Sequence, residues 1–217
     1  MYPVTLNISG RLCVVVGGGR VAERKIFSLL KAGAQVRAVS PQLTEALHEL
    51  AAAGQIIWLA RCFQAGDLAG AMLVFAATDS RQVNKLVAQE AEAGGQLINV
   101  ADAPDQCGFQ VPAVLRQGDL TIAVSTNGKS PALSARIRKR LEADYGPEYA
   151  VLLDLLGRIR AQELAGERDE AVRKNLFANI LHEEMLDWIR NGQQERLRNH
   201  LRAILGPDAD LNSYKIR

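Results

Sequence analysis

Three consecutive glycines, Gly17, Gly18 and Gly19, close the apolar run Leu12-Cys13-Val14-Val15-Val16 and open the helix-patterned stretch Arg20-Val21-Ala22-Glu23-Arg24-Lys25. Gly17, Gly19 and Ala22 fit G-x-G-x-x-G/A, the spacing that binds a dinucleotide. Each residue type has its own reason. Gly17 permits the turn out of the strand, Gly19 lets a pyrophosphate approach the backbone, and Ala22 lets the helix pack close to the strand. The free N–H groups at the start of that helix, with the positive end of its dipole, then face the phosphates. The fingerprint is incomplete. The acid expected about 20 residues further on, which binds a ribose hydroxyl, is missing, and Val39 and Ser40 stand there. Arg37 could meet a 2′-phosphate, but inside a strand it is expected to face solvent.

These residues need a scaffold, and the first half of the chain supplies its pattern. Strands are predicted at 12–16, 35–39, 56–59, 72–76 and 97–100, and helices at 21–32, 44–53 and 83–93, with Ser80 as N-cap of the last. Gly33, Gly54 and Gly94-Gly95 stop the helices. Strands alternating with helices at this spacing imply a parallel sheet covered on both faces, with ligand loops at the carboxyl ends of the strands. After Asp102 the pattern changes. Residues 109–114 and 120–125 read as two strands around Arg116-Gln117-Gly118-Asp119, and Ser130 with Pro131 starts a helix that runs to about residue 143. Beyond Glu148 the chain reads as helices at 149–164, 173–186 and 193–205, punctuated by Gly166 and Gly192, with an unpatterned end from Gly206 to Arg217.

Composition excludes several classes. The 217 residues carry 26 basic and 24 acidic side chains, a net +2 that argues against nucleic acid as a partner. Arg136, Arg138, Lys139 and Arg140 do cluster, as a solvated helix face or a surface for an acidic small molecule. No apolar run approaches the roughly 20 residues of a membrane span, and the N-terminus lacks the regions of a signal peptide. Cys13, Cys62 and Cys107 form no pair or metal spacing, which suits a reducing cytoplasm. His48, His182 and His200 pair with no ligand at metal spacing, so no resident metal is expected.

Gly17-Gly18-Gly19-Arg20-Val21-Ala22-Glu23-Arg24-Lys25, Phe75-Ala76-Ala77-Thr78-Asp79, Asn99-Val100-Ala101-Asp102-Ala103-Pro104 and Ala123-Val124-Ser125-Thr126-Asn127-Gly128-Lys129-Ser130-Pro131 follow one another in register. In this order and spacing the chain resembles the precorrin-2 dehydrogenases of siroheme synthesis, over about residues 1–165. The resemblance implies an α/β fold: a Rossmann-type parallel sheet binding NAD (1–112), a dimerisation segment (113–147) and a C-terminal helical domain (148–217), assembled as a homodimer. It implies oxidation of precorrin-2 to sirohydrochlorin with reduction of NAD⁺; some members also insert Fe²⁺, here as a substrate. It gathers Gly17, Gly19, Arg20, Val21, Ser40, Pro41, Gln42, Thr78, Asp79 and Asn99 around the cofactor, and Ser125, Thr126, Lys129 and Ser130 around the tetrapyrrole, whose carboxylates suit basic neighbours. NAD rather than NADP rests on the resemblance. Asp102 falls on the family's catalytic aspartate, as the base that takes a proton while a hydride leaves or as the group that orients the proton-losing carbon; from its sequence context alone it is a turn residue before Ala103-Pro104. Thr78-Asp79 reads both as cofactor lining and as part of a helix cap.

A reading from another class stays open, a Rossmann module that senses NAD without chemistry. Asp102 and the loop at 125–131 speak against it. Phe109 and the residues to Ser125 do not fit a parallel sheet, and exposed strands there would need a partner edge, as a dimer provides. Fused relatives carry a methyltransferase half. This chain, ending at Arg217, is expected to receive precorrin-2 from a separate enzyme.

Overall fold

The computed structural model describes residues 1–165 and 169–206; Gly166 and the tail at 207–217 lie outside the described residues. The chain divides into two compact units, Met1–Val111 and Pro112–Arg217.

In the first unit five parallel strands, β1 (Leu12–Val16), β2 (Gln35–Val39), β3 (Ile57–Leu59), β4 (Leu73–Ala76) and β5 (Leu97–Val100), stand in the order β3-β2-β1-β4-β5. Strand β1 is central because it is apolar on both faces. Cys13 and Val15 enter one core with Ala22, Ile26, Val36, Ala38 and Phe75, while Val14 and Val16 enter the other with Val39, Val74, Ala76 and Val87. Alternate residues of a strand point to opposite sides, so a doubly covered strand shows no polar alternation. The helices are α1 (Arg20–Lys31), α2 (Glu45–Ala52) and α3 (Arg81–Ala93). Helix α1 buries Ala22, Ile26 and Leu29, one face of a 3.6-residue repeat. Strand β1 pairs with β2 on one side and β4 on the other. The strand order therefore reverses beside β1, and it is at the carboxyl ends of the strands flanking such a reversal that ligands bind in sheets of this kind.

The second unit begins with an antiparallel pair, β6 (Ala113–Gln117) and β7 (Leu120–Val124), joined by the two-residue turn Gly118-Asp119. Helices α4 (Pro131–Asp144), α5 (Glu148–Ala165), α6 (Glu170–Ile180), α7 (Met185–Arg190) and α8 (Gln194–Leu205) follow. Leu155, Ile159, Ile180, Met185, Leu197 and Leu201 form the buried core of α5 to α8. No helix among the described residues is long and apolar enough to cross a membrane.

Two sequence expectations are corrected. The strand expected at 109–114 lies at Ala113–Gln117. Phe109 belongs instead to the first unit: its ring meets Phe75 edge-on with centroids 5.4 Å apart, and its N–H turns back to the Ile98 carbonyl. The single helix expected at 173–186 is two, α6 and α7. Between them the Glu184 N–H donates to His182 Nδ1 at 3.1 Å and the Met185 N–H to the His182 carbonyl at 3.1 Å, closing a turn where the apolar spacing ran on unbroken.

Candidate functional site

The three glycines after β1 are needed for three different reasons. Gly17 is buried at φ 127°, where a side chain is strained, and a Cβ there would strike the Ala77 carbonyl at the end of β4. Gly18 has no room at all. A Cβ would enter the Gln42 carbonyl and stand 2.8 Å from Ser40 Oγ. Gly19 has ordinary extended backbone, φ −84° and ψ −173°, and nothing lies within 4 Å of where its Cβ would be. No side chain caps α1, so the N–H groups of its first turn open onto that empty space. Beside them Arg20 and the apolar Val21 are exposed. A pyrophosphate fits this cradle: crowded backbone below, open space and unspent donors above. Gly18 was not singled out from the sequence, where it is merely the x of the motif.

The loop after β2 docks on this turn. The Thr44 N–H donates to the Gly18 carbonyl at 3.0 Å. Buried Ser40 donates from Oγ to the Gln42 carbonyl at 2.7 Å, and Trp58 Nε1 donates to the Ser40 carbonyl at 2.9 Å. The Ser40 hydroxyl is thus spent on shaping the loop, while Pro41 and Gln42 are exposed. Thr44 Oγ1 is buried there without a partner among the described residues. Arg37 departs from its expected solvent-facing position. It is half-buried and donates to the Asp67 carbonyl at 3.0 Å.

The loop after β4 is fixed by a residue the sequence reading missed. Asn84 Oδ1 accepts from the Thr78 hydroxyl at 2.7 Å and the Thr78 N–H at 3.2 Å, and Asn84 Nδ2 donates to the Thr78 carbonyl at 2.9 Å. The available signal was an amide on the buried face of α3, in line with Val87 and Ala91. Ser80 caps α3 as expected, accepting from the Val83 N–H at 3.3 Å. Asp79 is exposed.

Asp102 follows β5 as an exposed carboxylate at φ 58°, a left-handed conformation that Asp and Asn tolerate better than other side chains. Asn99 Nδ2 donates to the Phe109 carbonyl at 3.1 Å, so that its amide fastens the loop beyond Asp102. Lys25 of α1 lies with its Nζ 5.5 Å from the centroid of Phe75. Burial, aided by neighbouring Arg24, holds it below the ordinary lysine range.

Gly17, Gly19, Arg20, Val21, Ser40, Pro41, Gln42, Thr78, Asp79, Asn99 and Asp102 all lie in the first unit, at or just beyond the carboxyl ends of its strands. Ser125, Thr126, Lys129 and Ser130 form a loop of the second unit. Thr126 Oγ1 donates to the Ser130 carbonyl and accepts from the Ser130 N–H, each at 3.1 Å. Ser125 Oγ accepts from the Asn127 N–H at 3.1 Å, and Ser130 Oγ caps α4 through the Leu133 N–H at 3.2 Å. Lys129 is exposed.

Comparison with known proteins bears on the family and the fold. A family model described as "Putative NAD(P)-binding" matches residues 4–113, and one described as "Sirohaem biosynthesis protein central" matches residues 117–144. The siroheme synthase of Methylobacillus flagellatus is 36% identical over 99% of this chain and 46% of its own length. That of Nitrosococcus oceani is 37% identical over 94% of this chain and 43% of its own. The chain thus spans about half the length of the curated relatives it matches. A solved structure named "SirC, precorrin-2 dehydrogenase" superposes with a TM-score of 0.82 at 29% identity, covering 94% of this chain and 99% of that one. With the first model taking in half of its length, and its strands, glycine turn and open helix terminus arranged for a dinucleotide, the chain belongs to this NAD(P)-binding family.

Proposed function

We propose that this protein oxidises precorrin-2 to sirohydrochlorin with NAD⁺ in siroheme biosynthesis. The observation that carries the reading is an exposed carboxylate, Asp102, at the end of β5, in the same unit as a glycine turn shaped for a dinucleotide. The likeness to a precorrin-2 dehydrogenase along nearly the whole chain supports it.

Bound NAD⁺ supplies the hydride acceptor. The chain's own residues do the rest. The first-turn N–H groups of α1 would hold the pyrophosphate beside Gly19, and the Ser40–Gln42 contact shapes the loop that would meet the adenosine end. The dehydrogenation removes one hydride and one proton from the substrate, and the Asp102 carboxylate receives the proton. Exposed Lys129, Arg136, Lys139 and Arg140 offer cations to an acidic tetrapyrrole.

A homodimer belongs to the same reading. The β6–β7 pair is a sheet that no third strand extends among the described residues, and α4 exposes Leu133 and Ile137 one turn apart. Free Cys13, Cys62 and Cys107 suit a reducing cytoplasm.

The test is anaerobic turnover of enzymatically generated precorrin-2 with NAD⁺, followed by NADH and sirohydrochlorin absorbance. Wild type should turn over, while Asp102→Asn should bind NAD⁺ but form no product. Asn keeps the left-handed backbone that Ala would strain. NAD⁺ binding without turnover in the wild type would leave a sensor module instead. Adding Fe²⁺ to the same mixture tests metal insertion.

A further inference from the structure

The turn that carries Asp102 hangs on a thiol five residues further along the chain. β5 is the edge of its sheet, so beyond it no strand among the described residues takes up the outward N–H of Val100. That N–H donates instead to Cys107 Sγ, at 3.2 Å. Cys107 Sγ lies 3.4 Å from the Val100 carbonyl oxygen and 3.3 Å from that of Ala103, so its one proton has an acceptor on each side of Asp102. Asn99 Nδ2 stands 3.6 Å from the same sulfur while it donates to the Phe109 carbonyl. The Gly108 N–H returns to the Ile98 carbonyl at 2.8 Å and closes the loop behind. Val100 and Ala103 are thereby tied to one atom. The two residues between them, Ala101 and left-handed Asp102, have little freedom left.

We infer that Cys107 is a positioning residue for the reaction. Through Val100 and Ala103 it fixes the direction of the Asp102 carboxylate and touches neither substrate nor cofactor. The inference rests on Asp102 being the base. Positioning matters because a shift of about 1 Å at a reacting group can cost up to a hundredfold in rate. A thiol hydrogen bond is weak, and the expected loss is correspondingly at the lower end of that range.

The experiment compares Cys107→Ala, Cys107→Ser and Asp102→Asn with the wild type in the anaerobic assay, with NAD⁺ titration and thermal melting alongside. Cys107→Ala should lower kcat about tenfold while KM for precorrin-2 and Kd for NAD⁺ stay within about twofold. Cys107→Ser, whose hydroxyl also donates and accepts, should recover most of kcat. An inactive Asp102→Asn beside a fully active Cys107→Ala overturns the positioning role alone. An active Asp102→Asn overturns the base and the brace together. A Cys107→Ala that loses kcat and NAD⁺ affinity in parallel, unrescued by Ser, makes the thiol a general packing residue and also refutes the proposal. A readout independent of any variant's folding is amide exchange in the wild type. The Val100 N–H should exchange slowly despite its edge position, and fast exchange shows that the brace is not formed.

Discussion

Gly19→Ala and Gly18→Ala differ by one position and should fail in opposite ways. At Gly19 the backbone is extended and the added methyl meets nothing within 4 Å. The fold has little to lose. Alanine restricts the unfolded chain, favouring the folded state by about 0.4–1 kcal/mol, and its poorer performance as N-cap opposes this by a similar amount. The melting temperature should hardly move. The methyl would, however, occupy the space assigned to the pyrophosphate. Displacing even one charge-assisted hydrogen bond costs about 1.5–3 kcal/mol, and each 1.4 kcal/mol is tenfold in Kd. A rise in Kd for NAD⁺ of roughly ten- to a hundredfold follows. At Gly18 the methyl would enter the Gln42 carbonyl, a backbone atom with no rotamer to retreat into. Overpacking of this kind costs about 1–3 kcal/mol, and for a chain of this length each kcal/mol lowers Tm by about 2–4 °C. Calorimetric titration with NAD⁺ and melting by circular dichroism read both numbers on the full chain. A Gly19→Ala protein that melts and binds NAD⁺ like the wild type would show that the phosphates lie elsewhere. An unchanged Tm for Gly18→Ala would show that the β2 loop yields, and that its contact with the glycine turn does not set the site.

The acid limb of stability should come in part from Asp67. Arg61, paired with both carboxylate oxygens at 2.7 Å, holds its carboxyl below the usual range, with the Gln64 N–H assisting against burial. Because the folded value is depressed, the unfolded chain binds more protons. The contribution is therefore complete above the unfolded value of about 3.9 and is lost as pH falls through the folded one. Glu148, hydrogen-bonded to Arg190 at 2.6 Å, adds a second depressed carboxyl with the same sign in the other unit. Melts from pH 7 down to pH 2 should show a shallower decline for Asp67→Asn than for the wild type, and identical slopes would remove Asp67 from the account. Light scattering at micromolar concentration should return a dimer mass. A stable monomer there would count against β6, β7 and α4 as an interface.

The parallel sheet was readable because its inner strands β1 and β4 are buried on both faces and had to appear as unbroken apolar runs, while β2 and β5, interrupted by Arg37 and Asn99, kept enough apolar residues between turn signals to be placed at 35–39 and 97–100. Errors arose where an apolar side chain served a different partner from its sequence neighbours. Phe109 continued the run at 109–114 but packs on Phe75, so the strand begins later. Leu181 and His182 continued a helical spacing, but the His182 ring and carbonyl take the two N–H groups that close a turn. Ser40 and Asn99 read as ligand contacts by position. In the fold the Ser40 hydroxyl donates to the Gln42 carbonyl and the Asn99 amide nitrogen to the Phe109 carbonyl, so each also fastens a loop.

The two halves of the chemistry were unequally legible for a physical reason. Phosphate binding is done by backbone, and backbone that must turn sharply, accept a close neighbour or stay uncovered needs glycine at adjacent positions. The demand is local, so Gly17 to Gly19 display it in the sequence. The proposed proton transfer needs only one carboxylate among 24 acidic residues. What distinguishes Asp102 is where β5 ends, a left-handed backbone, and a thiol that reaches back from Cys107 to Val100 and Ala103. None of these is a spacing of residue types. Cys107 in particular reads as an unpaired cysteine until the chain folds over it. A base assigned from the sequence alone would therefore stay a turn residue. It is the edge position of β5, with an amide that must find some acceptor, that ties down the backbone carrying the neighbouring carboxylate.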